Sequence, residues 1–268
     1  MNIIQRPVSD YIQGVSEKDT ALSHYTAGGT LSGAIAELSK PDTVNVCFMN
    51  DHNGDIVQLF PLKYWAYHTG VNNKPDRNGN RKQWCKESWG IENVNWGQLT
   101  PQNGLYLPYT METKKAVPAE RVVWCKPFGT YQGGYYEILT PKQIASLEWL
   151  IYEYLMVQSE LLRSITHADI NSNKRDFPPD FPGIPRFAPT GEKYHGIEYG
   201  PYKKKKAINA NPTIITPDPK AFDKYAAIRN GEEMRYTVAQ LLERGDVIMG
   251  EYTRIMGALK VINMGGAK

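Results

Sequence analysis

Residues 44–60 read VNVCFMNDHNGDIVQLF. Two β-prone runs, VNVCFMN (44–50) and IVQLF (56–60), flank the polar stretch DHNGD. Branched and aromatic side chains suit a pleated, half-buried surface, and Asn-Gly closes hairpins because both residues tolerate positive φ. The stretch therefore predicts a β-hairpin. Working outward, TLSGAIAELSK (30–40) sets Leu31, Ala34, Ile35 and Leu38 on one helical face, with Thr30 as N-cap and Pro41 as stop. Beyond the hairpin, KESWGIENV (86–94) and RVVWCK (121–126) are strand candidates. Otherwise residues 95–140 are rich in Gly, Pro and Tyr. The stretch TPKQIASLEWLIYEYLMVQSELL (140–162) predicts a long helix, capped by Thr140, with Pro141 in its first turn. Its apolar face comprises Ile144, Leu147, Leu150, Ile151 and Leu155.

Helices interleaved with strands give a mixed α/β domain over residues 1–182. Prolines and a basic run then dominate, and residues 183–219 read as a linker or wrapping arm. Helical signals return over 220–268, where Ile248, Tyr252, Ile255, Met256 and Leu259 share a face. This appendage has its default place packed on the domain; an apolar helical face also suits a second subunit or a membrane surface.

The 268 residues are 41% apolar and 22% charged, an ordinary balance for a core-forming chain. A net charge of +3 gives no electrostatic ground for nucleic-acid binding. Three cysteines cannot all pair, which fits a reducing compartment. They are expected as small buried apolar groups, since no base adjoins any of them. The opening MNIIQRPVSDYIQG lacks the apolar stretch of a signal peptide, and no apolar run reaches the ~20 residues of a membrane span. A soluble, cytoplasmic origin is expected. The KKKK run at 203–206 is expected as a solvated tract.

The chain has five histidines. His24, in LSHYTAGG, ends an apolar run before a tight loop, a position from which a side chain can face a cleft. His167 reads as closing the long helix and the short segment after it, and Asp176 closes the polar stretch THADINSNKRD (166–176). Two such groups on the rims of one loop can converge on an ion, since zinc takes nitrogen and oxygen donors and a catalytic site leaves one position open. A solvated polar loop explains the same residues. His52, in the hairpin turn, and His195, in the proline-rich arm, carry no expected role.

The segments HYTAGG, VNVCFMNDHNGDIVQLFP, YWAYHTG, SWGIENVN, the long helix and THADINSNKRDFPPDF follow one another in a fixed order. This order resembles the zinc-dependent N-acetylmuramoyl-L-alanine amidases of type 2, whose relatives include peptidoglycan recognition proteins and small phage amidases. The resemblance covers about residues 18–182. It implies a central mixed β-sheet flanked by helices. It also implies Zn2+ held by His24, His167 and Asp176. Thr166 stands where the family has glycine, and Asp176-Phe177-Pro178 stands where it has Asp-Pro-Gly. Glu92 matches the family's acidic strand residue and would act as general base. Lys174 matches the lysine two positions before the carboxylate and would stabilise an oxyanion. His68 matches a residue of the substrate cleft.

Trp65, Trp89 and Trp96 are the expected glycan- or peptide-binding aromatics, from a set that also holds Tyr67, Trp84, Tyr106 and Tyr109; core packing is the alternative for each. The segments 72–86 and 95–108 would be loops over the cleft, with Lys74, Arg77, Arg81 and Lys82 as candidates for stem-peptide carboxylates. The implied activity is cleavage of the amide between N-acetylmuramic acid and L-alanine. The expected setting is a phage or prophage endolysin reaching the wall through a membrane lesion. The alternatives are a cytoplasmic muropeptide-recycling amidase, a non-catalytic peptidoglycan-binding protein, and a virion protein that docks on the wall.

Overall fold

The computed structural model describes residues 3–40, 44–71, 82–109, 115–171 and 173–202. In chain order the strands are β1 (Ile3–Gln5), β2 (Thr20–Tyr25), β3 (Phe48–Asn50), β4 (Ile56–Gln58), β5 (Ser88–Asn93), β6 (Gln98–Gln102), β7 (Leu105–Pro108), β8 (Val122–Cys125), β9 (Gly134–Glu137) and β10 (Arg163–Thr166). The helices are α1 (Leu31–Leu38), α2 (Trp84–Glu87), α3 (Pro141–Trp149), α4 (Met156–Gln158) and α5 (His167–Ile170).

Six strands form a sheet in the order β1-β4-β3-β5-β2-β10. The β3–β4 pair is antiparallel, and the other neighbours run parallel. The mixed α/β architecture read from the sequence is therefore the observed one. Register decides what meets at the sheet's edge. His24 lies beside Glu92, and Ser23 lies beside Thr166, so β2, β5 and β10 end together. Ligand sites of open α/β sheets gather at such carboxyl ends.

The helix from Thr140 covers one face of this sheet. Thr140 accepts from the Gln143 backbone N–H, and the Gln143 side chain accepts in return from the Thr140 N–H, a complete capping box. Leu150–Leu155 continue α3 as a π-helical segment into α4, so the helix ends at Gln158, short of the expected Leu162. Leu147, Leu150, Ile151 and Leu155 are fully buried in the main core with Phe48, Ile91 and Trp89. Gln143 Nε2 donates to the Asn50 and Val94 carbonyls, which docks the helix start on the ends of β3 and β5.

The hairpin at 44–60 is present, but it is not closed by a two-residue turn. Five residues separate β3 from β4, and of Asn53 and Gly54 only Gly54 has positive φ, at 87°. A Cβ at Gly54 would lie 2.8 Å from Ser146 Oγ and 3.1 Å from the Lys142 carbonyl, so helix packing also demands glycine there. The tight Asn-Gly turn lies elsewhere. Asn103 and Gly104, at φ 52° and 75°, join β6 to β7. Residues 95–108, expected as a cleft loop, thus build a hairpin. It belongs to a second, antiparallel sheet of order β7-β6-β9-β8.

Of the arm expected over 183–219, residues 183–202 pack on the domain. Phe187 exchanges backbone hydrogen bonds with Ser164 of β10, and Ile184 and Phe187 join the main core. Residues 203–219 and the helical appendage of 220–268 lie outside the described residues. No helix among the described residues is long and apolar enough to cross a membrane.

The capping box offers a check on this packing. Thr140→Ala should lower unfolding free energy by about 1 kcal/mol in a urea titration, because it strips an N-cap acceptor from the helix that covers the core.

Candidate metal centre

His24 is the fifth residue of β2 and projects from the sheet face shared with Glu92. His167 opens α5 directly after β10. It begins a helix, whereas the sequence suggested a histidine closing one. Asp169, fully buried, accepts from the Thr166 backbone N–H at 2.8 Å, which fixes the bend between strand and helix. Asp176 follows on a loop whose next residue, Phe177, has φ 54°.

These three residues converge. His24 Nδ1 and His167 Nδ1 are 2.9 Å apart. Asp176 Oδ2 lies 3.3 Å from His167 Nδ1 and 3.6 Å from His24 Nδ1. A tetrahedral ion with bonds of about 2.0–2.1 Å to each donor needs donors about 3.3–3.4 Å apart, close to this triangle.

The outer hydrogen bonds assign the ring protons. His167 Nε2 lies 2.9 Å from the Thr69 carbonyl, which can only accept, so Nε2 carries a proton and the lone pair of the neutral ring is on Nδ1. For His24 the chain is longer. Ser88 donates to the Trp84 carbonyl, so its oxygen accepts from His68 Nε2 at 3.3 Å. Neutral His68 then offers its Nδ1 lone pair to His24 Nε2–H at 3.0 Å. Both Nδ1 lone pairs therefore point into the triangle, as ligation requires. His68, 7% exposed, stands behind His24; this corrects its expected place in the cleft wall.

Charge agrees with geometry. Burial, then the neighbouring His167, holds the His24 pKa down to about 4, despite Asp176. Burial pushes His68 well below its ordinary value, with His24 and His167 adding to the effect. Burial works to raise the Asp176 pKa, but His167 and then His24 outweigh it and hold the carboxyl below its usual range. A neutral His24 ring and an ionised Asp176 carboxylate are forms that donate electron pairs.

Glu92 is driven well above the carboxylate range, first by burial and then by the charge of Asp176, with Lys174 opposing. Its Oε2 is buried without a hydrogen-bond partner, beside the donor triangle in register with His24. A buried unpaired carboxyl oxygen is costly and calls for a partner. Lys174 is exposed on the loop before Asp176, near enough to act on both Glu92 and His24.

The tryptophans divide. Trp96 is half-buried against Gly29, on the turn that follows β2, and so stands at the carboxyl edge. Trp89 does not face the site: it is 4% exposed, lies on the pleat opposite Glu92, and lines a cavity of about 780 Å3 with Lys18, Asp19 and Leu62. Trp65 is also displaced, buried beneath the Lys86 ammonium near the amino end of β5. Lys82 is paired with Asp19 and Glu87 and is not free for substrate; Lys74, Arg77 and Arg81 lie outside the described residues. The residues the sequence did not reveal are Ser88 and the Thr69 carbonyl. A backbone acceptor leaves no mark in a side-chain pattern.

Residues 16–183 match the family described as N-acetylmuramoyl-L-alanine amidase, Amidase_2. No curated protein matches the chain. Several solved structures are similar. The N-acetylmuramoyl-L-alanine amidase LysC from Clostridium intestinale URNW is 16% identical, over 68% of this chain and 92% of that one, with a TM-score of 0.41. A mutant endolysin from Bacillus subtilis is 21% identical, over 62% and 84%, with a TM-score of 0.37. AmiD from E. coli, in complex with the substrate anhydro-N-acetylmuramic acid-L-Ala-D-gamma-Glu-L-Lys, is 20% identical, over 61% and 52%, at 0.41. The fold is a mixed sheet carrying a His-His-carboxylate cluster at its carboxyl edge, the arrangement of a candidate metal centre. The chain belongs to the N-acetylmuramoyl-L-alanine amidase family, hydrolases of an amide in peptidoglycan.

The tautomer chain predicts that His68→Leu, which removes the acceptor for His24 Nε2–H, weakens transition-metal affinity about 10–100-fold. Chelator competition on the folded apo-protein measures this.

Proposed function

We propose that this chain is a zinc-dependent amidase that cleaves the bond between the lactyl carbonyl of N-acetylmuramic acid and the L-alanine nitrogen of the stem peptide. The observation that carries the reading is the triangle of two Nδ1 lone pairs and one carboxylate oxygen beside the unpaired Glu92 Oε2. His24, His167 and Asp176 would hold the ion. When bound, zinc supplies Lewis acidity that polarises the carbonyl and makes water nucleophilic near pH 7.

The chain's own groups do the rest. Glu92, ionised once a cation offsets Asp176, takes a proton from the attacking water and returns it to the departing amine. Burial, the larger cause of its raised pKa, remains with a cation in place and favours its holding the proton until the C–N bond breaks. Lys174 presents its ammonium to the negative charge that grows on the carbonyl oxygen. Trp96, at the same edge, offers an aromatic face to the sugar or the peptide. The setting we propose is that of a lysin acting on intact wall. It is supported by the sequence, through the polar stretch at 72–83 and the long tail that follows the catalytic domain.

The test is a digest of purified sacculi and of soluble muropeptides, with products identified by mass. New amino termini on L-alanine are expected, and should disappear with a chelator or in His167→Ala. Glu92→Gln should keep zinc and lose about 10²–10⁴-fold in kcat. Cleavage within the glycan, or activity that survives chelation, would overturn the reading. Turnover of soluble fragments with intact sacculi untouched would replace the lysin by a recycling enzyme.

A further inference from the structure

We propose that residues 184–202, which lie beyond the family match, form a clasp that belongs to the metal centre and sets its affinity. The proposal rests on the reading that His24, His167 and Asp176 hold zinc. The arm touches two of the three ligand-bearing segments, through Tyr199 and Arg186.

Tyr199 OH donates to Asp169 Oδ1 at 2.7 Å. The other oxygen of Asp169 accepts from the Thr166 N–H at 2.8 Å. One buried carboxylate therefore ties the arm to the bend from which His167 projects. His195 Nε2 lies 3.5 Å from the same Oδ1, and its ring packs edge-on to Phe128 with centroids 4.7 Å apart. His195 and Gly196, at φ 52° and 78°, make the turn of a small hairpin, β11 (Lys193–Tyr194) and β12 (Ile197–Glu198). Positive φ at a non-glycine is costly, and here it accompanies a side chain turned inward onto Asp169.

Arg186 acts on the second segment. Its Nη2 donates to the Phe177 and Pro178 carbonyls at 2.9 and 2.7 Å, and its Nη1 donates to Phe181 at 3.1 Å. Phe177 follows Asp176 directly and has φ 54°. A charged fork on these carbonyls holds a strained turn that aims the carboxylate ligand. The two contacts are joined, since the Arg186 guanidinium lies 5.8 Å from the centroid of the Tyr199 ring. The clasp is anchored away from the ligands by Phe187 on Ser164 and by Glu192 on Arg163.

A centre braced in this way loses affinity when the brace is cut, while the core stays folded. The experiment uses the full chain, stripped of metal, and reads zinc affinity by competition with a chromophoric chelator alongside the apo melting temperature. Tyr199→Phe keeps the ring and removes only the hydroxyl. It should weaken zinc about 10–100-fold with little change in apo melting. Arg186→Lys keeps the charge and loses the fork, and should weaken zinc comparably. Glu192→Gln, which frees the anchor without touching Asp169 or Phe177, should bind within about threefold of wild type. Folded Tyr199→Phe and Arg186→Lys proteins that bind zinc within twofold of wild type would overturn the clasp while leaving the amidase reading intact. An equal loss in Glu192→Gln would also overturn it, as general loosening of the arm. A wild-type chain that binds no zinc would fail both readings at once.

Discussion

Two imidazole nitrogens, each bearing a lone pair, face one another at 2.9 Å inside the protein. Lone pairs at that distance repel, and a third electron-rich atom, Asp176 Oδ2, sits beside them. Such a contact becomes favourable when a cation, or a single shared proton, lies between the donors. The rest of the site can be understood as the means of keeping three donors in that relation. The outer nitrogen of His167 is committed to a carbonyl and that of His24 to another imidazole. Each commitment keeps the neutral ring from turning its proton inward.

The sheet supplies the positions. Parallel pairing of β2 with β5 and β10 makes three strands stop at one edge, and the register brings position 24 beside 92 and position 23 beside 166. A one-residue slip in β5 would turn Glu92 to the opposite face. Buried Trp89 and Ile91 on the helix side resist that slip, since it would expose them to the polar site. The helix that begins at Thr140 therefore acts at a distance. By covering the apolar pleat it fixes which carboxylate looks at the candidate ligands.

How much of this was legible follows from the kind of signal each feature leaves. With only five histidines in the chain, His24 and His167 stand out by type; carboxylates are common, so Asp176 and Glu92 are legible only through the order of motifs around them. The helix from Thr140 is legible because cap, proline and apolar period agree. Its π-helical segment has no such mark. The Asn53-Gly54 pair pointed to the right hairpin and the wrong turn, while the same dipeptide at Asn103-Gly104 made the tight turn that Gly- and Pro-rich surroundings concealed. Of the second sheet only β8, in RVVWCK, was legible: β6 and β7 are short and interrupted, and proline at 101 and 108 speaks against them. Tryptophans were misread because an aromatic ring looks the same in a core as in a cleft. Trp89 was settled by its parity along β5.

The arm shows the limit most clearly. Residues 183–202 have the composition of a tether, with prolines, glycines and no period. Yet Arg186 answers three carbonyls and Tyr199 answers one carboxylate, all in other segments. Irregular backbone leaves its own polar groups unpaired, and a loop beside a buried site must have them paired from somewhere. A segment without secondary structure is suited to that work, because it can follow the contour of the loops it serves. The absence of a period is what a segment of this kind looks like in sequence, and it is indistinguishable there from a linker until the partners of its side chains are known.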